Sequence, residues 1–310
     1  MKILFMGTPG PAAQCLKALI DKGHDITAVI TQPDRGKGRG LEISKPPVKV
    51  DAEENHIPVH QPEDIKDRSA IELVKKIGPE LIVVVAYGKI IPEEIINAPR
   101  YGSINVHASL LPKYRGAAPI QWAIINGDKK TGITIQKVAY KLDSGDIILQ
   151  EEVNIDGSDN TVTLTSKLFI VGARLLVKAI EQIEKGKARN VKQDESKVTH
   201  APLLKKETGL IDWNKTSREL FNLIRGCYPW PGAFTYYKGK ILKIIKAEQK
   251  AMEGGAEGKI LEVVKNKGFV VGTGEGALLI TEVQPESGKK MSAWEFLAGH
   301  ELKAGDTLPC

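Results

Sequence analysis

Lys2-Ile3-Leu4-Phe5-Met6-Gly7-Thr8-Pro9-Gly10-Pro11, then Ala12, Cys15, Leu16, Leu19 and Ile20 at helical spacing, then Ile26-Thr27-Ala28-Val29-Ile30-Thr31: this stretch decides the fold. A short apolar run ends in a glycine and proline turn and reads as a buried strand. It is far too short for the apolar region of a signal peptide. The apolar period then changes to that of a helix, and a second β-branched run follows Gly23. Strand, turn, helix and strand in that order predict a doubly wound, mostly parallel α/β sheet with right-handed crossovers. The turn Gly7-Thr8-Pro9-Gly10 lacks the third glycine of a dinucleotide fingerprint and the lysine of a P-loop. Its proline also removes a backbone donor. It reads as a plain tight turn.

Further along, helices are expected over Val48 to Asn55 and from Pro62 to about Ile77, with a strand at Val59-His60 between them. His56 and His60 flank that connection in no partner pattern and read as surface or capping residues. Leu81 to Ala86 is apolar on both faces and belongs at the centre of the sheet. Tyr87-Gly88 ends it. In open α/β sheets ligands bind beyond the carboxyl ends of strands. The turn after Met6, the loop after Thr31, Tyr87-Gly88 and the stretch from Asn105 are therefore expected along one crevice. Asn105 and His107 are two apart, so on an extended backbone both side chains leave the same face. Leu142-Asp143-Ser144-Gly145-Asp146 is a turn whose two acids exceed what an Asx turn requires.

The loop Gln32-Pro33-Asp34-Arg35-Gly36-Lys37-Gly38-Arg39-Gly40, continuing to Pro47, alternates cations with glycines. It reads as a long mobile loop rather than an element, with Arg35, Lys37 and Arg39 free to reach phosphates. Thr163 to Ile183 is a long amphipathic helix closed by Gly186. From Gly209 the texture changes. A short helix to Arg225 precedes five short runs separated by glycines: Phe234–Tyr237, Ile241–Ala247, Gly258–Val264, Phe269–Thr273 and Ala277–Val283. They predict a small OB-like β-barrel, with Lys238 and Lys240 at a basic entrance. The domains expected are 1–186, a linker at 187–208, and 209–310.

At 310 residues, 42% hydrophobic and 26% charged, the chain has the composition of an ordinary globular protein with room for two domains. No run approaches the roughly 18 apolar residues of a membrane span. Cys15, Cys227 and Cys310 form no CxxC pair, which argues against zinc or a disulfide framework and for a reducing cytoplasm. A net charge of +6 and a pI near 9.0 point to an anionic partner.

Asn105-Val106-His107 with Ser109-Leu110-Leu111-Pro112, Tyr114-Arg115-Gly116 and Pro119 resembles the folate-dependent formyltransferases. Leu142-Asp143-Ser144-Gly145-Asp146 is similar to their second signature. Gly7-Thr8-Pro9, Thr31-Gln32-Pro33-Asp34-Arg35, Gly38-Arg39-Gly40, Val84 to Gly88, Ile211-Asp212-Trp213 and Pro229-Trp230-Pro231 extend the match to members that act on tRNA. The resemblance implies transfer of the formyl group of 10-formyltetrahydrofolate to the α-amino group of methionine on initiator tRNA. It places the family's essential Asn, His and Asp on Asn105, His107 and Asp143. It places folate contacts on Ser109, Leu110, Leu111 and Pro112, to which Tyr87 and Gly88 are added from their place in the crevice. Arg39 falls on the arginine most important to tRNA recognition, and a monomer is the family expectation. Three departures stand out: Gly10-Pro11 for the usual Asp-Phe, Ala108 for a Gly or Pro, and Lys141 for a glycine.

The residues suit that chemistry. Attack of an amine on an amide-like carbonyl needs a neutral amine, oxyanion stabilisation and proton movement. Asn105 offers uncharged N–H donors. His107, with an ordinary imidazole pKa of about 6.5, can carry a proton or donate to the same oxygen. Asp143 can orient His107 or relay the amine's proton through water. No metal is implied. Two other readings stay open. One is the same triad acting on a smaller amine such as an amino sugar nucleotide, which gives the Gln32–Gly40 loop no purpose. The other is an RNA-binding protein without catalysis, which leaves the triad unexplained.

Overall fold

A computed structural model of the chain describes residues 1–37, 42–252 and 256–309. Arg39, named above for tRNA recognition, lies outside the described residues. Two compact units divide the chain. One comprises Met1–Gly116, Lys130–Asn154 and Thr165–Ala201, the other Ala117–Lys129, Ile155–Leu164 and Pro202–Cys310.

The first unit is built on strands β1 (Lys2–Gly7), β2 (Asp25–Ile30), β3 (Arg35–Lys37), β4 (Glu42–Ser44), β5 (Val59–His60), β6 (Leu81–Val85), β7 (Ser103–His107), β8 (Lys130–Lys137) and β9 (Ile147–Asn154). The main sheet runs β5-β2-β1-β6-β7-β8-β9. It is parallel through β7, and β8 and β9 are antiparallel. Strand order reverses between β1 and β6, which makes that junction the switch point of a doubly wound sheet. Every residue of β6 is buried, and so is every residue of β1 after Lys2. Burial on both faces explains why these strands are continuous apolar runs.

Helix α1 (Gly10–Asp21) settles what Gly10-Pro11 does. The helix begins at Gly10, and Pro11 sits in its first turn, where its missing N–H has no intrahelical partner to lose. The N–H groups of Ala12 and Ala13 both donate to the Pro9 carbonyl. Helix α2 (Pro47–Glu54) follows the expected span. Helix α3 (Arg68–Ile77) is shorter than expected, because residues 62–67 form turns. The Lys66 N–H donates to Asp64 Oδ1 at 3.0 Å, a local bond that competes with the helical ladder. A short helix α4 (Glu93–Ile96) precedes β7.

The stretch from Gln32 to Pro47 corrects the expectation of a loop without elements. Strands β3 and β4 pair antiparallel, Arg35 opposite Ser44 and Gly36 opposite Ile43. The base is held on both sides. Lys49 Nζ lies 2.7 Å from Asp34 Oδ2 and from Gln61 Oε1, while Gln61 Nε2 donates to Asp34 Oδ1 and to the Gln32 carbonyl. Fixing the ends lowers the entropy lost in forming a short ladder.

The second unit holds helix α5 (Pro119–Ile125), the start of α6 (Thr161–Glu184), α7 (Ser217–Cys227) and α8 (Ala293–Gly299). Its strands are β10 (Ala233–Tyr237), β11 (Lys240–Lys250), β12 (Ile260–Val264), β13 (Gly268–Gly272), β14 (Ala277–Pro285) and β15 (Met291–Ser292). All five expected strands are present, ordered β10-β11-β14-β13-β12, with β15 added on β14. Among the described residues no ladder joins β10 to β12, so the OB-like sheet is not closed. Trp213, Phe269 and Phe296 are fully buried in its core, and α7 packs Leu220 and Ile224 against them. A reciprocal cap between Thr216 and Glu219 starts α7.

Candidate active site

Strand β7 carries the centre of the site. It lies between parallel β6 and antiparallel β8, with Val84 and Gln136 beside Asn105 and Thr134 beside His107. The Asn105 and His107 side chains leave the same face, as their spacing requires. Asn105 is half-buried, and among the described residues its carboxamide has no hydrogen-bond partner. His107 is buried with both ring nitrogens facing acceptors. Nε2 donates to the Tyr114 carbonyl at 2.9 Å, and Nδ1 lies 3.5 Å from Asp143 Oδ1. A carbonyl only accepts, so Nε2 carries a hydrogen. The three residues named from the resemblance therefore meet in one place, although 36 residues separate the last two in sequence.

Asp143 sits in the turn between β8 and β9 with φ at 49°, in the left-handed region. Aspartate enters that region more readily than most residues. Its Oδ2 accepts from the Gly116 N–H at 2.9 Å and its Oδ1 from Gln136 Nε2 at 3.0 Å. The following Gly145 is required by space, since a Cβ there would collide with the Lys137 carbonyl. Lys141, the departure from the usual glycine, needs no glycine conformation. It is exposed and faces Glu195.

The segment Ser109–Pro112 is locked by two polar side chains behind it. Thr134 Oγ1 donates to the Ser109 carbonyl at 2.6 Å and accepts from the Leu111 N–H at 3.1 Å. Gln150 Nε2 donates to the Leu111 carbonyl and to Thr134 Oγ1. Ser109 Oγ donates to the Lys113 carbonyl. With Ser109 and Leu111 buried, Leu110 and Pro112 are the half-exposed members of the segment.

Tyr87 lies elsewhere than its place at the end of β6 suggested. Its ring is 2% exposed and packs in the core with Ile65, Ile91 and Ile95, and its hydroxyl has no partner among the described residues. Burial pushes that hydroxyl up to about 12, with Asp64 adding to the effect. What Tyr87 offers the crevice is its carbonyl, which accepts from Gln32 Nε2 at 3.0 Å and Thr8 Oγ1 at 3.3 Å. Those bonds join the ends of β1, β2 and β6. Gly88 has φ at 84°, and a Cβ there would approach Gln32 Nε2 at 3.3 Å.

Arg35 is exposed on the hairpin, and Lys37 ends β3. In the second unit Lys238 is exposed, lies 3.5 Å from Glu301 Oε2 and sits over the Tyr237 ring, while Lys240 opens β11 on the surface. Among the described residues no group of three or more His, Cys, Asp or Glu side chains is arranged to hold a metal ion.

Sequence reasoning missed Gln136, Gln150 and Gln193, and gave Arg115, quoted in the motif Tyr114-Arg115-Gly116, no role. Arg115 is 2% exposed and binds Gln193 Oε1 and both oxygens of Glu195. That contact holds the Glu195 carboxyl below the usual carboxylate range. Gln193 in turn bonds to the turn that holds Asp143. Only strand pairing could have flagged Gln136. Nothing local could have flagged Gln193, which sits in a polar stretch that reads as a linker.

Comparison with known proteins sets these residues in context. A family profile described as formyl transferase matches residues 1–180, and one for the formyl transferase C-terminal domain matches 203–301. A Pelotomaculum thermopropionicum protein named methionyl-tRNA formyltransferase is 50% identical over 99% of this chain and 98% of its own. A Thermodesulfovibrio yellowstonii protein of the same name is 48% identical over 98% and 97%. Among solved structures, HypX from Aquifex aeolicus in complex with tetrahydrofolic acid superposes with a TM-score of 0.68 at 17% identity. That match covers all of this chain, which spans about half the length of HypX.

Proposed function

This chain belongs to the formyl transferase family, and from that premise we propose the following function. It transfers the formyl group of 10-formyltetrahydrofolate to the α-amino group of methionine on initiator methionyl-tRNA, giving N-formylmethionyl-tRNA for translation initiation. The observation that carries the reading is the half-buried Asn105 carboxamide, without a hydrogen-bond partner among the described residues, beside the His107–Asp143 pair. Free N–H donors at that position suit the carbonyl oxygen of a formyl group, which gains negative charge as the amine adds. Such donors are worth about a hundred- to a thousandfold in rate.

In this reading the methionine amine forms a bond to the formyl carbon, the bond from that carbon to the folate nitrogen breaks, and the amine's proton leaves. Asn105 stabilises the oxygen. Asp143, an acceptor beside His107, takes or relays the departing proton, directly or through the imidazole, and the folate nitrogen gains a proton as it leaves. Ser109, Leu110, Leu111 and Pro112 hold the folate. Residues 1–186, with the connection 187–208, supply the chemistry. Arg35, Lys37 and Arg39, with Lys238 and Lys240 in residues 209–310, hold the tRNA by its phosphates. The enzyme works as a cytoplasmic monomer.

The test is a radiolabelled formyl-transfer assay offering methionyl initiator tRNA or an amino sugar nucleotide as acceptor. Transfer to the sugar alone, or to neither, overturns the reading. In the same assay Asp143→Asn and Asn105→Ala are expected to lower turnover by about two or more orders of magnitude with the fold intact, as loss of acid–base or oxyanion groups does. Near-normal turnover in either variant removes that residue from the mechanism.

A further inference from the structure

Arg115, a buried cation away from the reacting centre, dictates how hydrogen-bond donors are arranged around Asp143. A guanidinium has five N–H donors and no acceptor. Arg115 directs its Nε and one terminal nitrogen at a single atom, Gln193 Oε1, at 3.0 and 2.8 Å. That decides which way round the Gln193 amide lies. Its Nε2 must face the other way, and it does, 2.8 Å from the carbonyls of both Asp143 and Gly145 and 3.3 Å from Gln136 Oε1. Gln136 is 1% exposed. With its oxygen committed to Gln193, its nitrogen faces Asp143 Oδ1 at 3.0 Å. The links run in one direction, from the guanidinium to the carboxylate; the two Gln193 amide hydrogens point at the carbonyls at 2.8 Å, and Gln136 Oε1 at 3.3 Å shares one of them.

The turn at the end of this chain needs to be held. Asp143 has φ at 49°, a conformation that a non-glycine residue keeps only when its surroundings impose it. Gln193 ties down the carbonyls on either side of Ser144, and the Gly116 N–H caps the second carboxylate oxygen. His107 Nδ1 then meets an oxygen whose position is set by these bonds.

We propose that Arg115, Gln193 and Gln136 form a one-way hydrogen-bond chain that presents Asp143 to His107 as an acceptor, with Gln193 a positioning residue for formyl transfer. The proposal rests on the reading of Asp143 as a working partner of His107. Gln193→Glu isolates polarity from size. The new carboxylate keeps its pairing with Arg115 but turns an acceptor towards three acceptors. Gln136 must then reverse and set its oxygen against Asp143.

The test uses the full chain, with steady-state kinetics on methionyl initiator tRNA and 10-formyltetrahydrofolate and a thermal melt of each variant. Gln193→Glu is expected to lower kcat about ten- to a hundredfold with KM for both substrates within about twofold, the pattern of a lost outer contact that orients a working group. Its melting temperature should fall, because the donors to the Asp143 and Gly145 carbonyls are lost, so turnover is read at a temperature at which the melt shows the variant folded. Gln193→Met, of similar length and without a dipole, should lose less kcat than Gln193→Glu. A role in filling space gives no such order. If Asp143→Asn is disabled while Gln193→Glu turns over like the parent, the positioning role is wrong and the reading of Asp143 stands. If Asp143→Asn itself is fully active, that reading fails and takes the proposal with it. Should Gln193→Glu not fold, Gln136→Leu removes the last donor to Asp143 instead, and parent-like turnover there is equally decisive against the chain.

Discussion

Tyr87 has a cost that its place after a central strand does not reveal. Its ring fills the core, but its hydroxyl is buried there without a partner among the described residues. Removing a buried unsatisfied group of this kind recovers about 1–3 kcal/mol, so Tyr87→Phe is expected to stabilise the chain by up to that amount. Burial also raises the folded hydroxyl to about 12, above an unfolded value of about 10. A raised value means the contribution is whole below pH 10 and is lost as pH rises towards 12. Urea unfolding across pH 8 to 11.5 should therefore show a shallower alkaline decline in Tyr87→Phe than in the parent. An identical decline would place the hydroxyl in contact with water. Asp143 is the opposite case. Its signature was legible in sequence, but its left-handed backbone and donors from Gly116 and Gln136 were not, because they depend on residues 27 and 7 positions away.

At the scale of elements, the hairpin of β3 and β4 shows how a polar anchor can make structure from a glycine-rich stretch. Propensity there favours a loop, and the Asp34–Lys49–Gln61 cluster overrides it. The hydrogen bond from Lys49, then that from Gln61, holds the Asp34 carboxyl below the usual carboxylate range. A lowered value contributes stability above the ordinary carboxylate pKa and loses it as pH falls through the folded one. Asp34→Asn should thus flatten the acid limb of the stability curve below about pH 4. Lys49→Ala, which frees the base of the hairpin, is expected to raise the apparent KM for tRNA several-fold more than that for folate. Equal changes in both would separate the hairpin from tRNA. The other elements were mostly legible, because strands β1 and β6 are continuous apolar runs and helices α1 and α7 carry clear apolar periods. The start of α3 was not, since a bond from Lys66 to Asp64 competes with helix in a way no periodicity records.

The whole molecule carries a net charge of +6 with exposed cations at Arg35, Lys238 and Lys240. If these grip several phosphates, log KM for tRNA should rise steeply and linearly with log salt between 50 and 200 mM, while KM for folate stays nearly flat. Arg39→Ala should reduce that slope by about one phosphate contact. A slope near zero in the parent would leave the basic charge without a role in tRNA binding. By itself the sequence determined the doubly wound sheet and the antiparallel C-terminal strands, and its resemblance to the family marked Asn105, His107 and Asp143 as candidates. Periodicity and short motifs are local properties, and each was complete within a few residues. Tertiary structure alone decided that Tyr87 turns into the core and that Arg35–Lys37 pairs antiparallel with Glu42–Ser44. It also decided that Arg115, Gln193 and Gln136 converge on Asp143. Those outcomes turn on where buried donors find acceptors, and a hydrogen bond across 50 or 78 residues leaves no pattern in the chain that makes it.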